Sequence, residues 1–112
     1  YQTMDVLKAM EADSRLSIQE LRVDGGATTN NLLMQFQANI LKTKVVRPEI
    51  TEVTALGAAY LAGLATGFWT SIEDIRGQWK INHSFEPEEL TNYEELIKGW
   101  NKAVKAAKAT TE

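Results

Sequence analysis

The sequence contains no cysteine and only one histidine, His83. Without cysteine the chain can form no disulfide and offers no thiolate for catalysis or metal binding, and a lone histidine argues against a histidine-based metal site. Acidic side chains outnumber basic ones by 15 to 12, for a net charge of −3. A protein that binds nucleic acid usually carries a basic surface. We therefore expect neither a metal ion bound by this chain nor a nucleic-acid partner.

A membrane-spanning run is also missing. The most apolar stretch, Ala55–Trp69, is shorter than the about 20 residues that a membrane helix needs, and its small residues suit close packing within a protein. The first residues show no charged segment followed by an apolar core, as a targeting signal would. We expect a cytoplasmic protein without a membrane span. The 112 residues are 44% hydrophobic and 24% charged, a composition typical of one globular domain or a piece of a larger one.

The stretch Leu21–Asn31 is the most informative part of the sequence. A short apolar run ends at Gly25 and Gly26, and polar residues then open an amphipathic helix. Glycine lets the backbone approach a ligand closely, and the first turn of a helix exposes unpaired N–H groups with partial positive charge. Strand, glycine turn and helix in this order predict a site for a nucleotide or phosphate. Taken alone, the two glycines could equally serve only unusual backbone angles.

Hydrophobic periodicity and turn signals predict the other elements. The predicted strands are Glu20–Asp24 and Lys44–Arg47, and residues 79–85 are expected to be extended. The predicted helices cover residues 1–12 and 55–66, a segment that opens at Thr28, Thr29 or Asn30 and ends near Leu41, a short segment ending at Arg76, and a last segment that opens at Thr91 or Asn92. Strand, helix and strand in close succession predict a βαβ unit with a parallel pair. Two parallel strands do not make a self-sufficient sheet, so we expect the end of a longer protein.

Capping residues and charged faces complete these expectations. The candidate caps are Thr28, Thr29 or Asn30 for the second helix, Thr51 or Thr54 for the third, Gly67 at its end, and a capping box of Thr70 and Glu73 for the short helix. On the last helix we expect one apolar face, with the lysines on other faces and solvated.

Four blocks of the sequence resemble the FGGY carbohydrate kinases, within the actin-like ATPase superfamily. The blocks occur in order at Val23–Ala27, Asn30–Ala38, Val46–Glu49 and Glu52–Gly63. A Gly-Gly turn after a strand would be weak evidence by itself, whereas the Met34–Gln37 run is more specific. The resemblance extends over nearly the whole chain and is to the members that phosphorylate glycerol.

The resemblance implies a fold and an activity. Residues 1–112 would be the C-terminal portion of the ribonuclease-H-like C-terminal domain, an α/β segment with a short parallel sheet and covering helices, and the N-terminal domain would be absent. The parent would be a homo-oligomeric kinase that transfers the γ-phosphate of ATP, bound with Mg²⁺, to glycerol and gives sn-glycerol 3-phosphate. Its acceptor site, catalytic aspartate and first phosphate loops would lie upstream. We therefore expect no catalytic residue here and no activity from the chain alone.

The resemblance also assigns four residues to the adenosine half of the nucleotide site. Gly26 would contact the nucleotide through its backbone, and Asn30 would hydrogen-bond near the adenine, since an asparagine amide can both donate and accept. Gly25 and Ala27 would keep the turn compact. Asn30 could instead be only a helix cap, and Asp24 more simply caps the turn than attracts a magnesium-bound water.

Two alternatives stay open at this point. One is another FGGY kinase with a pentose or related polyol as acceptor, because this segment would carry the nucleotide side and not the acceptor side. The other is a non-catalytic βαβ interaction module that pairs with another chain through an open strand edge.

Overall fold

Short strands alternate with helices along the chain in the computed structural model, which describes residues 1–111. The strands are β1 (Glu20–Arg22), β2 (Lys44–Pro48) and β3 (Ile81–Phe85). The helices are α1 (Gln2–Ser14), α2 (Asn31–Leu41), α3 (Val53–Thr66), α4 (Ile72–Arg76) and α5 (Tyr93–Thr111), and a 3₁₀ turn at Gly26–Thr29 precedes α2. Each predicted helix is present within two residues of its expected ends where both ends were predicted.

The three strands form one sheet in the order β1-β2-β3. β1 pairs with β2 in parallel, with Leu21 opposite Val45, and the predicted βαβ unit is confirmed. β3, expected only as an extended segment, pairs antiparallel with β2, so that Val45 also faces Phe85. The α/β fold class is therefore confirmed, with a sheet that is mixed rather than purely parallel.

The core lies between α2 and the sheet. Met34 and Ala38 of α2 pack with Val45 and Phe85, and Leu21 and Val23 complete the cluster at its edge. The neighbouring Val46 is fully buried as well. Because successive side chains of a strand point to opposite faces, burial of both valines shows that β2 is covered on its two faces. This central strand pairs with both of the other strands and forms the centre of the sheet.

Helix ends follow the sequence signals in part. Asn30 caps α2, as one of the three predicted candidates, and Gly67 ends α3 with φ 81° in the left-handed region, as predicted. The cap predicted for α3 at Thr51 or Thr54 is wrong, because the N-cap is Glu52 and has no side-chain hydrogen bond. The Leu56 amide donates to the Glu52 carbonyl at 3.1 Å, which starts the helix there. Thr54 therefore already lies inside the helix.

The capping box of α4 is shifted by one residue from its predicted place at Thr70 and Glu73. The Ser71 hydroxyl accepts from the Asp74 amide at 3.3 Å, and the Asp74 carboxylate accepts from both the amide and the hydroxyl of Thr70. Ser71 has the extended backbone of an N-cap residue. The prediction that Thr70 and Glu73 form the box is therefore wrong, although the type of motif is right.

This box makes the start of α4 sensitive to acid. The two hydrogen bonds that Thr70 donates to the carboxylate lower the pKa of Asp74 below its ordinary value of 3.8, and the neighbouring Ser71 lowers it to a smaller extent. Because the folded pKa is the lower one, the contribution to stability is present above about pH 3.8 and is lost as the pH falls through the folded pKa. We expect an NMR titration of the Asp74 carboxyl with a midpoint below 3.8, and a Thr70 amide shift with the same midpoint. The Asp74→Asn variant should lose that amide titration, whereas a midpoint at or above 3.8 would contradict the box.

α5 docks on α1 through one aromatic residue. The ring of Trp100 stacks on that of Tyr1 at 5.3 Å between centroids, and its indole Nε1 donates to Asp5 at 2.8 Å. The predicted apolar face is confirmed, because the lysines of the helix are exposed while five residues along this face are half-buried. These five residues are Tyr93, Leu96, Ile97, Trp100 and Val104.

Large apolar side chains lie uncovered on the surface. Leu61 of α3 and Phe68 just after it are 70% and 77% exposed, and α5 has no fully buried residue. The radius of gyration is 17.9 Å, against about 13 Å for a compact domain of this length. The helices around the sheet therefore present apolar faces that nothing within residues 1–111 covers. None of these helices is both long enough and apolar enough to cross a membrane.

Candidate nucleotide-binding site

The glycine turn lies at the carboxyl ends of the parallel strands. Val23 extends the ladder beyond β1 by donating to the Val46 carbonyl at 3.0 Å, and the Gly25 amide then donates to the Thr51 carbonyl at 2.8 Å. The second bond ties the turn to the loop that follows β2. In open α/β sheets, ligands bind in the crevice outside the carboxyl ends of the strands. The turn is therefore held where such a ligand would lie.

The two glycines of the turn have different roles in the backbone. Gly25 has φ 93° and ψ 167°, a region that is essentially restricted to glycine. Gly26 has no positive φ, and a Cβ built on it would meet nothing within 4 Å. The interpretation in terms of backbone angles thus accounts for Gly25. It does not account for Gly26, whose missing side chain leaves open space above the turn.

Threonine hydroxyls close the 3₁₀ turn that follows. Thr28 donates to the Gly25 carbonyl through both its amide, at 3.1 Å, and its hydroxyl, at 2.6 Å, and the Thr29 hydroxyl donates to Gly26 at 2.8 Å. Both threonines were candidate caps of α2, and the structure uses their hydroxyls one turn earlier. The amides of Gly26 and Ala27 come first in this turn and so have no partner within it. Both residues are exposed.

Asn30 ends the turn and begins α2. Its side-chain Oδ1 accepts from the Leu33 amide at 3.1 Å, and its own amide donates to Ala27 at 3.2 Å. Its Nδ2 donates to no group within residues 1–111, and the residue is exposed to solvent. Capping and ligand contact are therefore compatible, because capping uses the oxygen of the amide and leaves the nitrogen as a donor.

An arginine that the sequence analysis missed connects the turn to the sheet. Arg47 Nη1 donates to the Thr28 carbonyl at 2.8 Å and to Asn31 Oδ1 at 2.7 Å. Its Nε and Nη2 both donate to Asn82 Oδ1, at 3.0 and 2.9 Å. Arg47 follows two apolar residues, Val45 and Val46, at the end of the predicted strand, and this position was the available signal. Its partners could not be foreseen, because Asn82 lies on a strand whose pairing was not predicted.

Two cavities flank the end of β1, of about 220 and 300 Å³. Arg22, Val23 and Asp24 line both of them. Gly26, Ala27 and Asn30 line neither and lie on the open surface beside them. The described chain therefore offers one wall of a site and does not enclose a ligand by itself.

The chain does not provide a metal site of its own in the part that the structure describes. No three histidine, aspartate or glutamate side chains among residues 1–111 come together in a way that could hold an ion. Asp24, the carboxylate nearest the glycine turn, is exposed and single. A metal ion at this turn would need ligands from elsewhere.

A helix that starts from a glycine turn at the carboxyl end of a parallel strand is typical of nucleotide-binding α/β domains. The comparison with known proteins gives the family. Residues 1–66 match the C-terminal domain of the FGGY family of carbohydrate kinases, and the chain belongs to this family.

The relatives that are most similar in sequence include glycerol kinases from several bacteria. The chain is 64% identical over 113 residues to a glycerol kinase of Chromobacterium violaceum, a match that covers 96% of this chain and 22% of that protein. It is 62% identical over 110 residues to one of Bacillus subtilis, covering 97% and 22%. The chain therefore spans about a fifth of the length of the curated relatives it matches.

Solved structures confirm the predicted actin-like ATPase fold. Plasmodium falciparum glycerol kinase with ADP superimposes with a TM-score of 0.76 at 31% identity, covering 94% of this chain and 21% of that one. A ligand-bound xylulose kinase from Lactobacillus acidophilus has a TM-score of 0.67 at 22% identity, covering 80% and 19%. The second likeness concerns the fold alone.

Proposed function

We propose that this chain is the adenosine-binding wall of an ATP-dependent glycerol kinase, which transfers the γ-phosphate of ATP to glycerol and gives sn-glycerol 3-phosphate. The observation that carries the proposal is the 64% identity to the Chromobacterium violaceum glycerol kinase over 96% of the chain. The Plasmodium falciparum relative was solved with ADP, which supports a nucleotide as one ligand.

Within this proposal the glycine turn contacts the nucleotide. Gly26 supplies a backbone surface, because no side chain stands above it and its amide is unpaired within the turn. Asn30 donates from Nδ2 to the adenosine part while its Oδ1 caps α2. Gly25 and Ala27, on either side of Gly26, keep the turn compact. The open geometry at Gly26 supports this assignment, since the chain itself gives no other reason for a glycine there.

The residues that perform the chemistry are proposed to lie outside this chain. Phosphoryl transfer requires placed phosphates, a bound metal and a base for the acceptor hydroxyl. The described residues do not form a metal site, so Mg²⁺ would be held by the phosphates of ATP and by other parts of the enzyme. This chain would contribute nucleotide binding and orientation, and by itself it would be inactive.

The uncovered apolar faces fit a chain that packs against more polypeptide. Leu61 and Phe68 project from the surface although burial of such side chains is favourable by about 2 kcal/mol each. We propose that the remainder of the kinase covers these faces, that the enzyme is a homo-oligomer, and that it acts in the cytoplasm, where ATP is available.

The test of the function is the acceptor preference of the full-length enzyme that carries this segment. With ATP as donor, we expect phosphorylation of glycerol with a kcat/KM at least about a hundredfold above that for xylulose or gluconate, a ratio of about 2.7 kcal/mol. The separate 112-residue chain is the control and should show no transfer. A preference for xylulose would favour another FGGY kinase, and glycerol phosphorylation by the separate chain would contradict the assignment of the chemistry to other parts.

A further inference from the structure

We propose that Arg47 is a positioning residue for the nucleotide site, which holds Asn30 in the orientation that presents its Nδ2 to the adenosine part. The proposal rests on the proposed function. It goes beyond it by assigning the geometry of the turn to a side chain from the neighbouring strand.

The hydrogen bonds of Arg47 lie on both sides of Asn30 in the sequence. Nη1 binds the carbonyl of Thr28 at 2.8 Å and the side chain of Asn31 at 2.7 Å. Thr29 and Asn30 therefore lie between two points that Arg47 holds. Because its Oδ1 is also held by the Leu33 amide, the direction of its free Nδ2 is determined by groups that Arg47 and α2 hold in place.

The guanidinium is itself fixed from the side of the sheet. Nε and Nη2 share Asn82 Oδ1 as acceptor, and Cζ lies 5.3 Å from the centroid of the Phe85 ring. The register of β2 against β3 shifts between Arg47 and Pro48, and such irregularities re-aim side chains. The arginine thus fixes the exposed turn relative to the buried central strand.

An arginine is required for this arrangement. Nη1 makes two hydrogen bonds to the turn and to Asn31, Nε and Nη2 make two to Asn82, and the planar fork holds both sets at once. A lysine would keep the charge but has a single nitrogen on a flexible stem. It could bind the turn or Asn82 but would not connect them.

The experiment is a mutant cycle in the full-length enzyme, with KM measured separately for ATP and for glycerol. We expect Arg47→Lys to raise the KM for ATP about tenfold, which corresponds to about 1.4 kcal/mol, while the KM for glycerol changes less than about twofold. Asn30→Ala should have a similar effect. The double variant should exceed the larger single effect by less than about twofold, because residues that act through one another are not additive.

Matched variants separate positioning from general stability. Arg76→Lys is the control, because Arg76 makes one exposed bond to Glu73 within α4, and its kinetics should equal those of the wild type. Asn82→Ala should raise the KM for ATP about threefold, since it removes the anchor but leaves the Nη1 bonds, a smaller loss than that of the whole fork. Asn82→Asp keeps an acceptor for Arg47 and should therefore have the KM for ATP of the wild type. These two variants also decide the matter if Arg47→Lys does not fold.

Each outcome has a definite reading. If Asn30→Ala raises the KM for ATP and Arg47→Lys does not, or if their effects add, the positioning role is overturned and the proposed function stands. A loss of kcat and thermal stability with unchanged KM would give Arg47 a structural role only and would also overturn it. If the wild type does not phosphorylate glycerol with ATP, the proposed function fails first and the inference fails with it.

Discussion

Replacing Gly26 by tryptophan is expected to raise the KM for ATP about a hundredfold in the full-length enzyme, which corresponds to about 2.8 kcal/mol of lost binding free energy. The KM for glycerol should change little, because the acceptor would bind elsewhere in the cleft. The physical reason is the open space over this residue. The chain places nothing within 4 Å of a Cβ at Gly26, so an indole there would occupy the volume that we assign to the nucleotide.

Folding should not be affected by this substitution. Gly26 has no positive φ, and a Cβ on it meets nothing within 4 Å, so the turn itself accepts a side chain at this position. Gly26→Ala should therefore give a stable enzyme. Its KM for ATP should increase less than that of a Gly26→Leu variant, and that of Gly26→Leu less than that of Gly26→Trp. The increase with side-chain size is the signature of steric exclusion of a ligand.

The matched control is Gly99→Ala in α5, where a Cβ also meets nothing within 4 Å. It should leave the KM for ATP unchanged, as a glycine outside the proposed site. ATP kinetics that stay the same in Gly26→Trp, in an enzyme that retains glycerol kinase activity, would remove Gly26 from the site. Equal increases in KM for both substrates would indicate a disturbed fold instead of a blocked nucleotide.

The features that the sequence predicted correctly are those determined over a few residues. Asn30 could be recognised as a candidate cap, and Gly67 as the end of α3, because each acts on its own helix. The βαβ unit followed from the order of the elements. The capping box of α4 was misplaced for a local reason as well, since Thr70 with Glu73 and Ser71 with Asp74 have the same spacing. The sequence pattern alone does not distinguish them.

The features that could not be predicted depend on contacts distant in the sequence. Antiparallel pairing of β3 with β2 is determined by the burial of Phe85 against Val45, and a single sequence does not reveal such partners. The link from Arg47 to Asn82 depends on that pairing. The 3₁₀ turn was missed because the hydroxyls of Thr28 and Thr29 bond to carbonyls three residues back, an alternative to capping that both residues allow.

The second large effect is expected at Gly63 in α3. Adding one methyl group there should lower the free energy of unfolding by about 2 kcal/mol, as overpacking does. In a helix interior the same change normally stabilises by about 0.5 to 1 kcal/mol, so the prediction reverses the usual sign. Gly63 is the one buried residue of α3, and a Cβ on it would overlap the ring of Trp69.

Trp69 cannot easily move away from the added methyl group. Its ring packs edge-on against Tyr60 and Phe68, with centroids 5.2 and 4.9 Å away. Its amide donates to the Gly63 carbonyl at 3.2 Å, and that of Phe68 does so at 2.8 Å. The indole is therefore held over Gly63 from its own backbone and from two neighbouring rings. The small residue is required by this contact, which accounts for a glycine that the helix alone disfavours.

Gly57→Ala on the same helix is the matched control, because a Cβ at Gly57 meets nothing within 4 Å. It should raise the free energy of unfolding by about 0.5 to 1 kcal/mol, the normal gain for glycine to alanine in a helix. Denaturant unfolding of both variants, with tryptophan fluorescence to report the displaced Trp69, measures the difference in sign. If Gly63→Ala stabilises the protein as much as Gly57→Ala does, the packing of Trp69 does not determine the residue at position 63. Opposite signs within one helix would show that the tertiary contact outweighs helix propensity there.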